Sequence, residues 1–589
     1  MASLTEKLTI LLSEAFSVSG YDPGYGVVEV SNRPDLCQFQ CNGALSAAKR
    51  YGTSPRQIAE RVVAATGSKD IFLEMALAGP GFINLTLSDR YLSQHLDAVS
   101  GDSRLGCDPA ATLLRIIVDY GGPNVAKPLH VGHLRAAIIG ESLKRVCGFL
   151  GHVVWGDVHL GDWGLQMGLN IVELKRRRPD LPYFDERFSG PYPDTSPVTI
   201  ADLEEMYPAV SERSKTDPET MDAARQATAD LQNGRPGYRA LWRHFHDVSV
   251  TDLNAHYATL NIHFDLWLGE SDTQDRIPVL IERLKKEGHA YESEGALVVD
   301  VATPEDTRPI PPLMLVKSDG AVLYGTTDLA TIDQRVRDYS PDLVLYVVDN
   351  RQSDHFHQVF TAAYKTGVAP HHTVLEHDGF GTMNGRDGKP FKTREGGVMK
   401  LKDLIRMVTD AAMERIAEIE SVRGYSEAEK AEIALRVGVS ALKYADLMNH
   451  RTKNYIFDLE RFLSFEGRTG PYLLYTTVRI KSILRRAAER NMTPGPFLPP
   501  SGDLERELSL CLSEFPDTVR LSFETRAPNH LCDLAFRLAT IYNRFYHEHH
   551  ILNEENVNQR DSWLSLSRLT LNVLEKTLDL LGIETPERM

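Results

Sequence analysis

The stretch DYGGPNVAKPLHVGHLRAAIIG, residues 119–140, sets two histidines, His130 and His133, three positions apart behind a loop of Gly, Pro, Asn and Lys. Imidazoles so spaced at a helix start share one face and can donate hydrogen bonds to a single phosphoryl group without supplying a nucleophile or a base. Gly132 between them lets a ligand approach the backbone closely. Neither GxxxxGK[ST] nor GxGxxG occurs in the loop, which excludes a P-loop and a dinucleotide fingerprint. For HxGH by itself two other readings stay open: ordinary capping or core histidines, and half of a zinc site. Zinc wants further Cys or His ligands at recognisable spacing, and Cys107 and Cys147 do not supply it.

The elements that must hold these residues are legible on both sides. LLRIIV before the loop is a β-branched apolar run closed by a Gly-Gly-Pro turn and predicts a buried strand. From Leu134 onward Ile139, Leu143, Val146 and Leu150 recur at helical spacing, Gly151 ends the element, and HVVW begins a second strand. Strand, loop, helix, strand is a βαβ unit that leaves its loop at the carboxyl end of a parallel sheet. The helix start there offers unpaired N–H groups and the positive end of a dipole, a seat for phosphate.

Composition bounds the rest. A chain of 589 residues, 42% hydrophobic and 25% charged, is an ordinary multidomain globular protein. No apolar run reaches membrane length, the first residues are amphipathic and carry acids unlike a secretory signal, and a cytoplasmic protein without a membrane partner is expected. Six scattered cysteines read as reduced thiols. A net charge of −16 argues against non-specific coating of nucleic acid but leaves room for RNA on local patches.

The chain divides into three regions. Residues 1–108 read as a small α+β domain with strands at GVVEVS, IFLEMA and FINLTL. In the last of these Phe82 and Asn84 oppose the apolar face and could stack on and read an unpaired base, or be ordinary surface residues. Residues 109–400 read as a Rossmann-like parallel-sheet domain with an insertion at about 175–295, strand-like runs resuming at ALVVD, AVLYG and DLVLYVVD. HDGFGTMNGRDGKPFKTREGG, residues 377–397, is Gly-rich and basic, suited to closing over triphosphate or serving as a solvated linker. Residues 401–589 are nearly all helical in pattern, with Leu534, Leu538, Ile541 and Phe545 on one stripe and Arg537, Arg544, Tyr542 and Tyr546 beside it, a mixture that suits single-stranded RNA or a solvated flank. The predicted fold class is thus α/β multidomain, flanked by the α+β and all-α regions.

PNVAKPLHVGHLR, LGDWG, LYGTTDLA, KPFKTREGG, ALKYADL, NYIFDLERFLSFEG and LGIETPERM together resemble class I aminoacyl-tRNA synthetases, specifically the bacterial-type arginyl-tRNA synthetases, over nearly the whole chain. The resemblance implies activation of arginine by ATP, with tRNA already bound, and transfer of arginine to the terminal ribose. Matched by position, it implies catalytic roles for His130, His133, Lys127, Lys389, Lys392 and Arg394, and ATP contacts from His130, Gly132, His133, Gly161 and Asp162. It implies an arginine pocket at Asp119, Asn124, Tyr324, Asp328 and Gln352. Those types suit a guanidinium, whose planar donor fork prefers carboxylates and then aromatic faces; Asp119 could instead cap its turn. The N-terminal domain resembles the family's tRNA-elbow domain, with Phe82 and Asn84 as candidates, and the helical region its anticodon-binding domain, with Tyr542 and Tyr546. The implied partners are arginine tRNA, L-arginine and ATP with Mg2+ held mainly through phosphates, on a monomer with no resident metal.

Two departures stand out. The family's KMSKS signature is reduced to PFKTR, so Lys389, Lys392 and Arg394 share candidacy for the pyrophosphate, and Gly121 and Gly122 replace small polar residues before Pro-Asn. Two rival functions have sequence arguments against them. A nucleotidyltransferase acting on a small substrate leaves the N-terminal and helical regions without purpose, and a non-catalytic tRNA-binding relative would not need His130, His133, Tyr324 and Asp328 together.

Overall fold

The computed structural model describes residues 2–589 apart from 34, 68, 305, 307, 319, 386, 390, 392–398 and 419–423. The predicted first strand is β1 (Arg115–Tyr120), the helix α1 (Leu134–Phe149) and the second strand β2 (Val153–Asp157). After a long excursion come α2 (Tyr324–Tyr339), β3 (Leu343–Val347), α3 (Ser353–Lys365) and β4 (Val374–His377). The four strands pair parallel in the order β4, β3, β1, β2. Ile116, Ile117 and Val118 are wholly buried, as a strand covered on both faces requires. Because the chain leaves β1 toward β2 and leaves β3 toward β4, the topological switch point lies between β1 and β3. Ligands of open parallel sheets bind outside the strand ends at that point.

Two sequence expectations are corrected. ALVVD is a strand (Ala296–Val299), but of a separate antiparallel sheet with Ala290–Ser293 and Leu313–Val316. AVLYG contributes only a bridge from Val322 to Val316 before Tyr324 starts α2. The region between β2 and α2 also holds the long helices Ile200–Thr216, Pro218–Gln232 and Pro236–Thr259.

The N-terminal region is an antiparallel sheet of Val28–Val30, Phe39–Cys41, Phe82–Leu87 and Phe72–Ala78 packed on helices that include Leu4–Val18 and Pro55–Ala65. Beyond Leu401 the elements are helices, ending with Val557–Leu580, apart from a short parallel pairing of Met383–Asn384 with Tyr455–Ile456. No helix among the described residues is long and apolar enough to cross a membrane.

One buried group fastens the strand ends to α2. Asp119 on β1 is in register with Asp157 on β2 and Tyr346 on β3. Arg335 of α2 reaches down to them, its Nη2 at 2.6 Å from both Asp119 Oδ2 and Asp157 Oδ2 and its guanidinium 5.2 Å from the Tyr346 ring centroid. Removing one member of such a buried cluster strands the opposite charge in a dry interior. Arg335→Met is expected to destabilise the sheet region by about 3–5 kcal/mol. A urea or thermal melt unchanged from the parent chain would show that this cluster does not hold the sheet to α2.

Candidate functional site

The loop after β1 turns on Gly121 and Gly122, both in the left-handed region at φ +100° and +52°. A Cβ on Gly121 would lie 3.1 Å from Phe264 Cζ and Tyr257 Oη, so conformation and space both favour glycine where the resemblance led to the expectation of a small polar residue. Ala126 also has positive φ, +60°, with its N–H donated to Ser249 Oγ at 2.9 Å. A non-glycine residue held there stores strain of the kind that collects at binding loops.

The two histidines are tied to each other by the backbone. The Gly132 N–H donates to His130 Nδ1 at 3.1 Å and the His130 N–H donates to His133 Nδ1 at 3.2 Å, with ring centroids 3.9 Å apart. Burial and the nearby Lys127 lower the His130 pKa; burial foremost, with His130 beside it, pushes His133 down to about 3. Both rings are therefore neutral near pH 7. Since each Nδ1 accepts a backbone N–H, the network assigns the proton of each neutral ring to Nε2, leaving two Nε2–H donors for the crevice. Gly132 has a further reason to be glycine: an added Cβ would sit 2.8–2.9 Å from the His130 ring.

The pair is held from outside as well. The Val131 N–H donates to Met399 O at 3.0 Å and the Leu401 N–H to Leu129 O at 2.9 Å, so the chain leaving the basic loop lies against HxGH. The insertion supplies the other support: Lys127 Nζ lies 4.6 Å from the Tyr207 ring centroid, and Glu204 takes Lys400 at 2.9 Å and Lys402 at 2.8 Å. Lys389 is exposed, its carbonyl accepting the Gly385 N–H at 2.8 Å; Lys392 and Arg394 lie outside the described residues.

Across the switch point, α2 and α3 assemble a different chemistry. Tyr324 and Asp328 stand one turn apart on α2 and both face His355 of α3. Asp328 Oδ2 is 2.5 Å from His355 Nε2, and the Tyr324 and His355 ring centroids are 4.7 Å apart. Tyr324 is 63% exposed, so its phenol is presented to solvent and to whatever binds there. Gln352, at the end of the turn following β3, is exposed beside α3. Asn124 pairs through its backbone with Gly161, and a Cβ on Gly161 would meet Asn124 Oδ1 at 2.7 Å. Gly161 thus makes room for Asn124, while its own N–H and C=O are used by Pro123 and Val125.

Sequence reasoning missed Glu270 and His355. Glu270 follows the segment 265–269, which lies along the end of β2 through Asp157–Leu266 and Leu160–Gly269 bridges. Burial raises its carboxyl pKa, with the positive influence of His159 opposing and the nearby Asp162 and Asp328 adding to the rise. The alternating FDLWL before Glu270 was the available signal, but it sits inside the stretch read as an insertion.

Four expectations are corrected. Asp162 is 1% exposed and both its oxygens are taken by Ser271, at 3.0 Å from the backbone N–H and 2.6 Å from the hydroxyl, so it braces the turn at Gly269 rather than meeting ATP. Asp119 is buried and its Oδ2 is held by Arg335, so that oxygen braces the strand ends rather than standing free for a substrate guanidinium. Asn84 is buried and its side-chain oxygen accepts from Gln40 Nε2 at 2.8 Å, which leaves Phe82, half-buried, as the group presented by that strand. Tyr542, four residues after Leu538 and three before Phe545, falls on the apolar stripe of its helix; it is fully buried and donates to Ser567 Oγ at 3.0 Å. Tyr546 is half-buried, with the Arg479 guanidinium 5.8 Å from its ring and 4.7 Å from that of Tyr475.

Paired neutral imidazoles after the first strand of a parallel sheet, a Tyr324–Asp328–His355 cluster across the switch point and an appended helical region fit the catalytic class of the class I aminoacyl-tRNA synthetases. The family description "tRNA synthetases class I (R), catalytic domain" matches residues 101–459, "DALR anticodon binding domain" 473–589 and "Arginyl tRNA synthetase N terminal domain" 3–87. The chain is 54% identical to the arginine–tRNA ligase of Alkaliphilus oremlandii and 48% identical to that of Maricaulis maris, each over 100% of both chains. It superposes on the arginyl-tRNA synthetase of Plasmodium falciparum with TM-score 0.80 and 25% identity, and on that of Thermus thermophilus with TM-score 0.79 and 22% identity, covering 100% of both chains. The chain belongs to the arginyl-tRNA synthetase family.

The histidine environment makes a stability prediction. An unfolded chain protonates these imidazoles near pH 6.5, whereas the native chain keeps His133 neutral down to about 3 and, by burial and Lys7, His95 to about 4. Their contribution is complete above the unfolded value and is lost progressively as pH falls below it. The melting temperature of the parent chain is expected to drop between pH 7 and pH 4, and His133→Asn to drop less. Parallel pH profiles for the two would remove His133 from the effect.

Proposed function

We propose that this chain is an arginine–tRNA ligase: it joins L-arginine to ATP as arginyl-adenylate, releasing pyrophosphate, and passes the arginyl group to the 3′-terminal ribose of its tRNA for protein synthesis. The observation that carries the reading is the meeting at the strand ends of neutral donors from the start of α1 with the neighbouring carboxylates of Asp328 and Glu270, supplied by other elements. The arginine carboxylate attacks the α-phosphorus, the bond to the β-phosphate oxygen breaks, and pyrophosphate departs. The Nε2–H groups of His130 and His133 meet the charge that grows on the phosphate oxygens, with Lys127 and Lys389 adding positive charge. In the second step the terminal ribose hydroxyl attacks the arginyl carbonyl, AMP leaves and the hydroxyl proton is released.

Asp328 and Glu270 take the guanidinium fork, with Tyr324 packing against it and Asn124 and Gln352 serving the α-amino end. Lysine would leave such acceptors half-paired, which gives discrimination without editing. The one trio of potential metal ligands among the described residues is Asp119, Asp157 and His159, with ligand atoms within 4.8 Å. Arg335 already bridges its two carboxylates and takes the place a resident cation would need, and magnesium arrives on the ATP phosphates. The reading includes a cytoplasmic monomer, a domain organisation of 1–108, 109–400 and 401–589, and tRNA contacts at Phe82 and Tyr546.

ATP–pyrophosphate exchange, measured with each amino acid with and without total tRNA, tests the whole. Exchange with arginine that needs tRNA is expected; exchange with another amino acid, or equal rates without RNA, rejects the assignment. Asp328→Asn should raise the arginine KM by about 30-fold, whereas His130→Ala should lower kcat by about 100-fold or more. Unchanged arginine kinetics in the first would take Asp328 out of the pocket. Separately, Tyr546→Ala should raise the KM for tRNA with little change in melting temperature, while Tyr542→Ala should lower the melting temperature. Reversed results would restore Tyr542 as the exposed contact.

A further inference from the structure

The pocket reading above assigns the guanidinium to Asp328, yet in the structure that carboxylate has a resident partner. His355 Nε2 lies 2.5 Å from Asp328 Oδ2, and the His355 side chain is only 13% exposed against 27% for Asp328. Its ring is packed between Tyr324, at 4.7 Å, and Phe356, at 5.4 Å, and Phe356 is in turn stacked at 4.9 Å on His377 of β4. His355 therefore cannot follow a moving carboxylate. It is a fixed post on α3, and Asp328 on α2 leans against it.

We infer that His355 is a positioning residue for arginine recognition: its Nε2–H holds Asp328 in the one orientation that presents the carboxylate as a fork to the substrate, resting on the pocket reading of Asp328. A planar guanidinium needs two acceptor lone pairs side by side, and a partly exposed aspartate has rotamers that point them elsewhere. A carboxylate carries about four acceptor positions, so one donated bond at Oδ2 fixes its plane and leaves the outward positions for the ligand. The same donor braces the carboxylate without occupying the face toward the crevice. The contact also sets Tyr324, whose ring rests on the His355 imidazole, so one side chain aligns both the acidic and the aromatic wall of the pocket.

The test uses the full-length chain with tRNA present and reads KM for arginine, KM for ATP and kcat by exchange. His355→Phe keeps a ring between Tyr324 and Phe356 but has no donor; His355→Gln restores an N–H near the Nε2 position. The expected result is an arginine KM raised about tenfold in His355→Phe, with KM for ATP and kcat within about twofold, and recovery to within about threefold in His355→Gln. In an Asp328→Asn background His355→Phe should add little. If His355→Phe does not fold, His355→Asn, whose shorter amide misses Asp328, takes its place with the same expectation. An arginine KM that is unchanged or lower without the donor, or a Gln variant no better than Phe, overturns the inference. If Asp328→Asn itself leaves the arginine KM unchanged, the pocket reading fails instead, and the two failures are told apart.

Discussion

A single guanidinium decides where this active-site region can be. Arg335 draws Asp119 and Asp157, carboxylates at the ends of neighbouring parallel strands, onto the underside of α2. Without it the two in-register acids would repel across the sheet, and burial alone raises Asp157 above the usual carboxylate range. With it, three things become fixed together: the start of the loop that carries His130 and His133, the start of the loop that carries Asn124's partner Gly161, and the helix whose first turns carry Tyr324 and Asp328. The residues proposed to meet substrate are then all one short step from this cluster.

The histidine pair shows how the same backbone makes donors out of titratable groups. An imidazolium would attract triphosphate more strongly, but it would also hold it after the chemistry is done and would be costly to bury. Here the peptide N–H groups claim each Nδ1, burial removes the charge, and what remains is a pair of neutral Nε2–H donors whose direction is set before ligand arrives. Positive charge beside the pair comes instead from Lys127, which rests against the Tyr207 ring, and the chain at residues 399–401 is fixed to the HxGH backbone.

Much of this was readable from the amino-acid string because it depends on local rules. LLRIIV, the helix from Leu134 and the HxGH spacing are short-range patterns, and the structure places strand, helix and paired rings where those patterns put them. The errors came where long-range packing overrides local type. Tyr542 carries a polar handle and looked like a surface residue, yet helical period puts it between Leu538 and Phe545 with Ser567 as its partner. ALVVD has the composition of a core strand, and nothing local says which sheet it joins. Asp119 and Asp162 sit in recognisable motifs, but a motif does not reveal that Arg335 and Ser271, 216 and 109 residues away, already occupy them.

Glu270 and His355 were invisible for the same reason, and both bear on the cation pocket proposed here. Burial and the neighbouring acids Asp162 and Asp328 push Glu270 toward its neutral form. In the proposed pocket a guanidinium placed between Glu270 and Asp328 supplies the positive charge that this arrangement lacks, whereas a neutral side chain of similar shape does not. In the proposed pocket the acids call for a cation, and the planar donor fork, which can pair both carboxylates at once, is what favours arginine over lysine. The insertion that interrupts the sheet in sequence is what delivers one of these acids, since the segment 265–270 returns to lie along β2 and sets Glu270 at the strand ends. The proposed donors and the proposed acids thus reach the crevice from different elements, the helix start after β1 for the former and α2 with the segment along β2 for the latter.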